Sequence, residues 1–167
     1  LYPMIETAAG FANALAVASS PNVQRLLFGS IDFQLDLGIS GEQEELLYFR
    51  SNLVLVSRLA GVQSPVDGVA THFDKPELLR GDCLRAKRLG FGAKLCIHPN
   101  QVPVVNESFD PSAEEVAWAR RILEGARAAS GSAVSVDGTM VDRPVLARAE
   151  AILARMAEQS NGPKNRD

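Results

Sequence analysis

Short apolar runs alternate with helix-length segments over roughly the first hundred residues. Residues 1–5, 25–28, 66–70 and 94–97 each predict a strand that is buried on both faces. Between the first two strands, small residues over 8–19 predict a helix ended by Pro21-Asn22, and Gly29 closes the second strand. Ser40 and Gln43 have capping-box spacing and open a long helix to about residue 60. That helix carries Leu46, Leu47, Phe49, Leu53, Val54, Val56 and Leu59, apolar nearly all round, which predicts deep packing. Pro76 starts a helix that runs through 88 and is stopped by Gly90. Four strands joined by helical crossovers predict an α/β fold with a parallel sheet.

After His98-Pro99 the alternation stops. Asp110-Pro111-Ser112, with Glu115 three residues past Ser112, predicts a capped helix to about residue 129. Residues 131–141 predict a loop or short hairpin around Asp137-Gly138. A last amphipathic helix places Val145, Leu146, Ala149, Ile152, Leu153 and Met156 on one face. The expected organisation is a sheet domain over 1–105, a helical extension over 106–159 and a polar, flexible tail over 160–167.

Composition narrows the class. With 167 residues, 46% hydrophobic and 22% charged, the chain can bury one sizeable core. A net charge of −3 without a long Lys/Arg run argues against nucleic acid as a partner. No apolar run is long enough to predict a membrane span, and no signal peptide is visible. Cys83 and Cys96, without CxxC spacing, read as reduced core residues of a cytoplasmic protein. The chain starts at Leu1, directly in a strand-like segment, and so is expected to be truncated.

The candidate chemistry begins with two carboxylates, Glu6 and Asp32. Each follows an apolar run, and in a parallel sheet the carboxyl ends of the strands share the rim where ligands bind. Two acids converging there suggest a hard divalent cation, Mg²⁺. The competing structural roles are helix capping: Glu6 at Thr7-Ala8, and Asp32 at the turn over 33–37. Asp36 reads as a brace for the Gly38 turn. Asp142, followed by Arg143-Pro144, has the signature of an N-cap for the last helix. His98, at a strand end beside Pro99, reads first as a hydrogen-bonded structural residue. Arg80, Arg85, Lys87 and Arg88 read as a solvated helix face.

Four stretches carry a family resemblance: Pro3-Met-Ile-Glu-Thr-Ala-Ala-Gly; Phe28-Gly-Ser-Ile-Asp-Phe with Asp36-Leu-Gly; Gly90-Phe-Gly-Ala-Lys-Leu-Cys-Ile-His-Pro-Asn-Gln-Val; and Asp137-Gly-Thr-Met-Val-Asp-Arg-Pro. In these the chain resembles the citrate lyase β-subunit-like group of the aldolase/citrate lyase superfamily, which includes malyl-CoA and citramalyl-CoA lyases. The resemblance implies the C-terminal half of a (β/α)₈ TIM-type barrel, about four parallel strands with helices, plus a C-terminal helical extension. Such a half barrel leaves open sheet edges and an uncovered inner face.

The same resemblance implies that Glu6 and Asp32 hold Mg²⁺ and that Glu6 also borders the substrate. Lys94, His98, Pro99 and Asn100 would shape a coenzyme A channel. Asp142 would act as general base in the active site of a neighbouring subunit, so the expected assembly is a homo-oligomer, a trimer or a multiple of one. Ala93 and His72 depart from the family pattern, which usually has glycine and aspartate there. The implied reaction is Mg²⁺-dependent cleavage of a 3-hydroxyacyl-CoA thioester of the citryl, malyl or citramalyl type, with a CoA thioester and a 2-keto acid as small-molecule partners. Two alternatives stand beside it: a pyruvate-type class II aldolase that does not use CoA, and a catalytically silent fragment or assembly subunit.

Overall fold

The computed structural model describes residues 1–128, 134–136 and 138–160. They fall into two compact units, Leu1–Phe109 and Asp110–Asp167.

The first unit is built on four short parallel strands: β1 (Met4–Ile5), β2 (Leu27–Phe28), β3 (Val66–Asp67) and β4 (Ala93–Lys94), in spatial order β1-β2-β3-β4. Met4 pairs with Leu27, Ile5 with Phe28, Leu27 with Val66, Val66 with Ala93, and Asp67 with Lys94. The pleat therefore sorts the strands into two rows. Ile5, Phe28, Asp67 and Lys94 form a buried row; Leu26, Leu53, Leu79 and Cys83 share the core with its apolar members. In the opposite row Met4 is 44% exposed, and Leu27 and Ala93 are half-buried. At β1 that face is open to solvent.

The helices show where local chemistry overrides periodicity. The helix expected over 8–19 breaks into α1 (Ala8–Ala12) and α2 (Ala14–Ala18). At the break, Asn13 turns its side-chain amide back onto the Ala9 carbonyl, 2.8 Å away, competing with the ladder. α3 (Ser30–Leu37) follows β2 and closes at Gly38 in the left-handed conformation (φ 67°). Phe33 pins α3 to the core, with ring centroids 5.8, 5.4 and 4.8 Å from Phe11, Phe28 and Phe49.

The Ser40/Gln43 capping box does not form. Glu45 accepts from the Gln43 amide at 3.2 Å instead, a 3-10 turn covers Glu44–Leu46, and α4 begins only at Leu47 and runs to Leu59. Nor is α4 buried all round. Leu53 and Val56 enter the core, whereas Leu47, Leu55 and Leu59 are exposed.

α5 (Pro76–Leu89) starts and stops as expected, with Gly90 at φ 102°. α6 (Gln101–Phe109) has no counterpart in the sequence reading. Its β-branched Val102, Val104 and Val105 disguise it, Pro103 is tolerated in its first turn, and Val105 and Phe109, one turn apart, anchor it in the core.

The second unit packs α7 (Ala113–Ala128) against α8 (Arg143–Ser160) around Ala119, Ile122 and Ala149. Its entry is a reciprocal capping box: Glu115 N–H donates to Ser112 Oγ at 3.1 Å, and Ser112 N–H donates to Glu115 Oε2 at 2.9 Å. β5 (Val134–Val136) and β6 (Thr139–Val141) form the antiparallel hairpin, with Gly138 at φ 76°. Asp137, and the tail expected over 160–167 apart from Ser160, lie outside the described residues. Among the described residues no helix is long and apolar enough to cross a membrane.

Candidate active site

Because β1 to β4 are parallel, their carboxyl ends define one edge, and Glu6 is the first residue past β1 on that edge. The Gly29 N–H donates to the Ile5 carbonyl at 2.9 Å, which draws the first residue after β2 against the β1 end. Gly29 has to be bare: a Cβ there would lie 2.6 Å from Glu6 Cβ and 3.1 Å from its Oε2. The Glu6 side chain therefore lies over the Gly29 backbone at the start of α3, and Asp32 stands in the first turn of that helix. Both carboxylates are exposed.

The capping roles open to these acids are filled by other residues. Thr7 Oγ1 accepts from Gly10 N–H at 3.0 Å, and Asp36 Oδ2 accepts from Ala8 N–H at 2.7 Å, so Glu6 does not cap α1. α3 has Gly29 as its N-cap and uses no side-chain cap, so Asp32 does not cap either. Asp36 accordingly braces the loop after β1 and not the Gly38 turn, which closes through the Leu35 and Gln34 carbonyls. Neither the Glu6 nor the Asp32 carboxylate forms a hydrogen bond or ion pair among the described residues.

This donor set suits Mg²⁺. Two hard carboxylate oxygens beside a bare backbone leave coordination positions for water and for substrate oxygens, which is the usual Mg²⁺ arrangement. Among the described residues no group of three or more His, Cys, Asp or Glu is placed to hold a metal ion, so the two carboxylates would need water and substrate oxygens to complete the coordination.

Deeper in the same unit lies a charged cluster that the sequence reading missed. Asp67 Oδ1 accepts from Arg50 Nε at 2.8 Å and Asp67 Oδ2 accepts from Lys94 Nζ at 3.0 Å, with all three side chains almost fully buried. Burial alone would raise the Asp67 pKa. Lys94 and Arg50 outweigh that and hold the carboxyl below its ordinary value. Arg50 Nη1 also donates to the Glu42 carbonyl at 2.6 Å, and its guanidinium lies 5.6 Å from the Phe28 ring centroid. The Lys94 ammonium, expected to shape a coenzyme A channel, is thus engaged with Asp67 on the buried row of the sheet. A signal for the cluster was present: Asp67 and Lys94 each put a charge inside an apolar strand run, and two such charges call for partners.

His98 sits at the rim past β4. Its Nδ1 accepts from Asn100 N–H at 3.2 Å, and its ring stacks on Phe73 at 5.0 Å. Pro99 and Asn100 are exposed beside it. His72 Nε2 comes no nearer than 3.8 Å to Asp82 Oδ2. Arg80 pairs with Glu107 at 2.8 Å, and Arg85 with Asp82 at 3.1 Å and the Glu42 carbonyl at 3.0 Å, so both are engaged within the protein. Cys83 is buried, but Cys96 is exposed and is not a core residue; both are free thiols. Burial pushes the Cys83 pKa up to about 11 and raises that of Cys96, so neither is an activated nucleophile.

Asp142, in the second unit, caps α8: Val145 N–H donates to its Oδ1 at 3.1 Å. The cap uses one oxygen and leaves Oδ2 available.

A family model described as HpcH/HpaI aldolase/citrate lyase matches residues 1–99, a span that includes Glu6, Gly29, Asp32, Asp67 and Lys94. The chain belongs to the HpcH/HpaI aldolase/citrate lyase family. Among relatives in this family, a citrate lyase subunit beta-like protein of Deinococcus radiodurans is 40% identical over 160 residues, 92% of this chain and 55% of that protein. The mitochondrial citramalyl-CoA lyase of Rattus norvegicus is 32% identical over 168 residues, 92% of this chain and 49% of that protein. A crystal structure of CitE from Mycobacterium tuberculosis in complex with magnesium, acetoacetate and coenzyme A superposes with a TM-score of 0.82 at 32% identity, covering 93% of this chain and 60% of that one. The chain spans about half the length of the curated relatives it matches.

Proposed function

We propose that this chain supplies the metal-holding half of a Mg²⁺-dependent carbon–carbon lyase acting on a 3-hydroxyacyl-CoA thioester of the citryl, malyl or citramalyl type. The observation that carries the reading is the pair Glu6 and Asp32. They are two exposed carboxylates past the carboxyl ends of β1 and β2; Thr7 and Asp36 meet the α1 amides in place of Glu6, α3 uses no side-chain cap, and the Glu6 side chain lies over the bare Gly29 backbone. The sequential strand order β1-β2-β3-β4 supports the accompanying fold reading, the C-terminal half of a (β/α)₈ barrel, because a doubly wound sheet reverses its order at a switch point. The relatives' names and the magnesium, acetoacetate and coenzyme A of the Mycobacterium tuberculosis complex point to the same chemistry.

In this mechanism Glu6 and Asp32 would hold Mg²⁺ through one oxygen each, and Glu6 would border the keto-acid end of the substrate. When bound, the ion supplies Lewis-acid stabilisation of negative charge on the keto-acid oxygen. Asp142, contributed by a neighbouring subunit of a homo-oligomer, would carry the proton exchanged at the acyl-CoA methyl carbon. In the condensing direction it accepts that proton while solvent protonates the new hydroxyl oxygen; in cleavage it starts protonated, the substrate hydroxyl gives its proton to solvent, and Asp142 delivers its own to the enolate carbon. Its Oδ1 stays fixed by the Val145 amide, which orients Oδ2 for the transfer. His98, Pro99 and Asn100 would line the coenzyme A approach, and Lys94 would contribute by holding Asp67 and β4 in place.

Isothermal titration of the chain with Mg²⁺ together with oxaloacetate or glyoxylate tests the metal half. Heat that disappears in Glu6→Gln and Asp32→Asn supports it, and equal heat in the variants refutes it. In the full-length enzyme, Asp142→Asn should slow cleavage of malyl- or citramalyl-CoA by about 10²–10⁴-fold. An unchanged rate would remove Asp142 from the chemistry.

A further inference from the structure

The loops after β3 and β4 are held by one buried side chain. Gln101, 1% exposed, opens α6. Its Oε1 accepts from Ile97 N–H at 2.9 Å and from His98 N–H at 3.3 Å. Its Nε2 donates to the Ala70 carbonyl at 2.9 Å and to the His72 carbonyl at 3.4 Å. A primary amide has two acceptor positions and two donors, and all four are used. Turning the amide over would face N–H groups with N–H groups and oxygen with carbonyls, so the network admits one orientation.

What is tied together bears on the rim. One loop carries Phe73 and the other His98, and their rings stack at 5.0 Å with 25° between planes. The Asn100 amide, donating to His98 Nδ1, leaves the proton of the neutral imidazole on Nε2. We infer that Gln101 is a positioning residue that locks the β3–α5 and β4–α6 loops into one unit and thereby fixes the ring of His98, with Nδ1 turned to the Asn100 amide, at the ligand-facing rim. The assignment of that rim to a ligand rests on the function proposed above; the clamp itself does not.

Nuclear magnetic resonance on this chain separates the two. In the wild type, the Ile97 and His98 amides should exchange slowly, and the His98 ring should carry its proton on Nε2, since Nδ1 accepts from the Asn100 amide. Its ring resonances should be displaced by Phe73, with Phe73→Leu supplying the unstacked reference. Gln101→Leu removes all four bonds, so exchange at Ile97 and His98 should accelerate at least about tenfold, and the His98 ring should move to the reference position. Gln101→Glu keeps acceptors for the two amides but sets carboxylate oxygen against the Ala70 and His72 carbonyls. Exchange should then stay near wild type while the stacking shift is lost.

Unprotected Ile97 and His98 amides in the wild type overturn the clamp even if neither variant folds. A Gln101→Glu protein that retains the stacking shift overturns it as well. Coenzyme A forms a separate arm. Displacement of the His98 resonances on its addition supports the rim as a ligand surface. Their invariance counts against the functional reading, and the exchange rates still decide the clamp.

Discussion

Replacing Asp67 with Asn should be among the most damaging single changes in the sheet unit. The carboxylate serves two cations at 2.8 and 3.0 Å, and its side chain has no exposed surface. At an effective dielectric of about 20, each contact carries roughly 6 kcal/mol of Coulomb energy, most of which offsets desolvation. Asn leaves Arg50 and Lys94 buried without a counter-charge. Removing one partner of a buried pair costs about 3–5 kcal/mol, and because two cations are orphaned here the expected loss is near 5 kcal/mol.

For a chain of this size that corresponds to a drop of about 10–20 °C in Tm. Urea unfolding followed through the Ile5 and Phe28 resonances reads it in the unit concerned. Replacing the whole cluster, Arg50→Leu with Asp67→Leu and Lys94→Met, should cost less than Asp67→Asn alone, since no charge is left stranded. The folded-state pKa of Asp67 is depressed, so its stabilisation is complete above the ordinary aspartate value of about 3.9 and fades as pH falls through the lower folded value. The gap between wild type and Asp67→Asn should therefore be flat above about pH 5 and narrow below about pH 4. A loss under about 1 kcal/mol, or a triple variant as unstable as the single one, would refute the reasoning.

Three further predictions follow from single distances. Gly29→Ala places a Cβ 2.6 Å from Glu6 Cβ and should weaken Mg²⁺–keto-acid binding by about 10–100-fold in titration calorimetry, with the sheet still folded by circular dichroism. Asp142→Ala should cost the second unit about 1 kcal/mol through the lost Val145 cap, while Asp142→Asn should cost almost nothing; thermal melts monitored at Trp118 compare the two. Gly90→Ala meets both a φ of 102° and a Val54 methyl at 2.8 Å, and should destabilise the first unit by about 1–3 kcal/mol in urea.

Features governed by neighbours a few residues apart were legible in the sequence. The Ser112–Glu115 box, the Gly90 stop and the Asp142 cap all formed because each completes its hydrogen bonds within one helical turn. The parallel sheet and the strand-end position of Glu6 also followed from the alternation. Contacts made at long range were not legible. Arg50 reaches Asp67 across 17 positions, and Lys94 reaches it across 27, so a lysine that looks available in one dimension is occupied in three. In place of the Ser40 cap, the exposed Glu45 carboxylate takes the Gln43 amide and the buried Arg50 holds the Glu42 carbonyl. The valines of α6 hid a helix whose formation depends on its packing against α5 and β4.

The acids, the bare glycine that seats them and the aspartate that braces their loop, namely Glu6, Gly29, Asp32 and Asp36, all fall within one uninterrupted stretch ending near Gly38. The hydrogen bonds joining them, Gly29 to Ile5 and Ala8 to Asp36, close inside that stretch as well. The loop geometry around these acids is therefore set locally, while Phe49, through Phe11 and Phe33, and Val66, through Leu27, fix the stretch to the rest of the sheet unit.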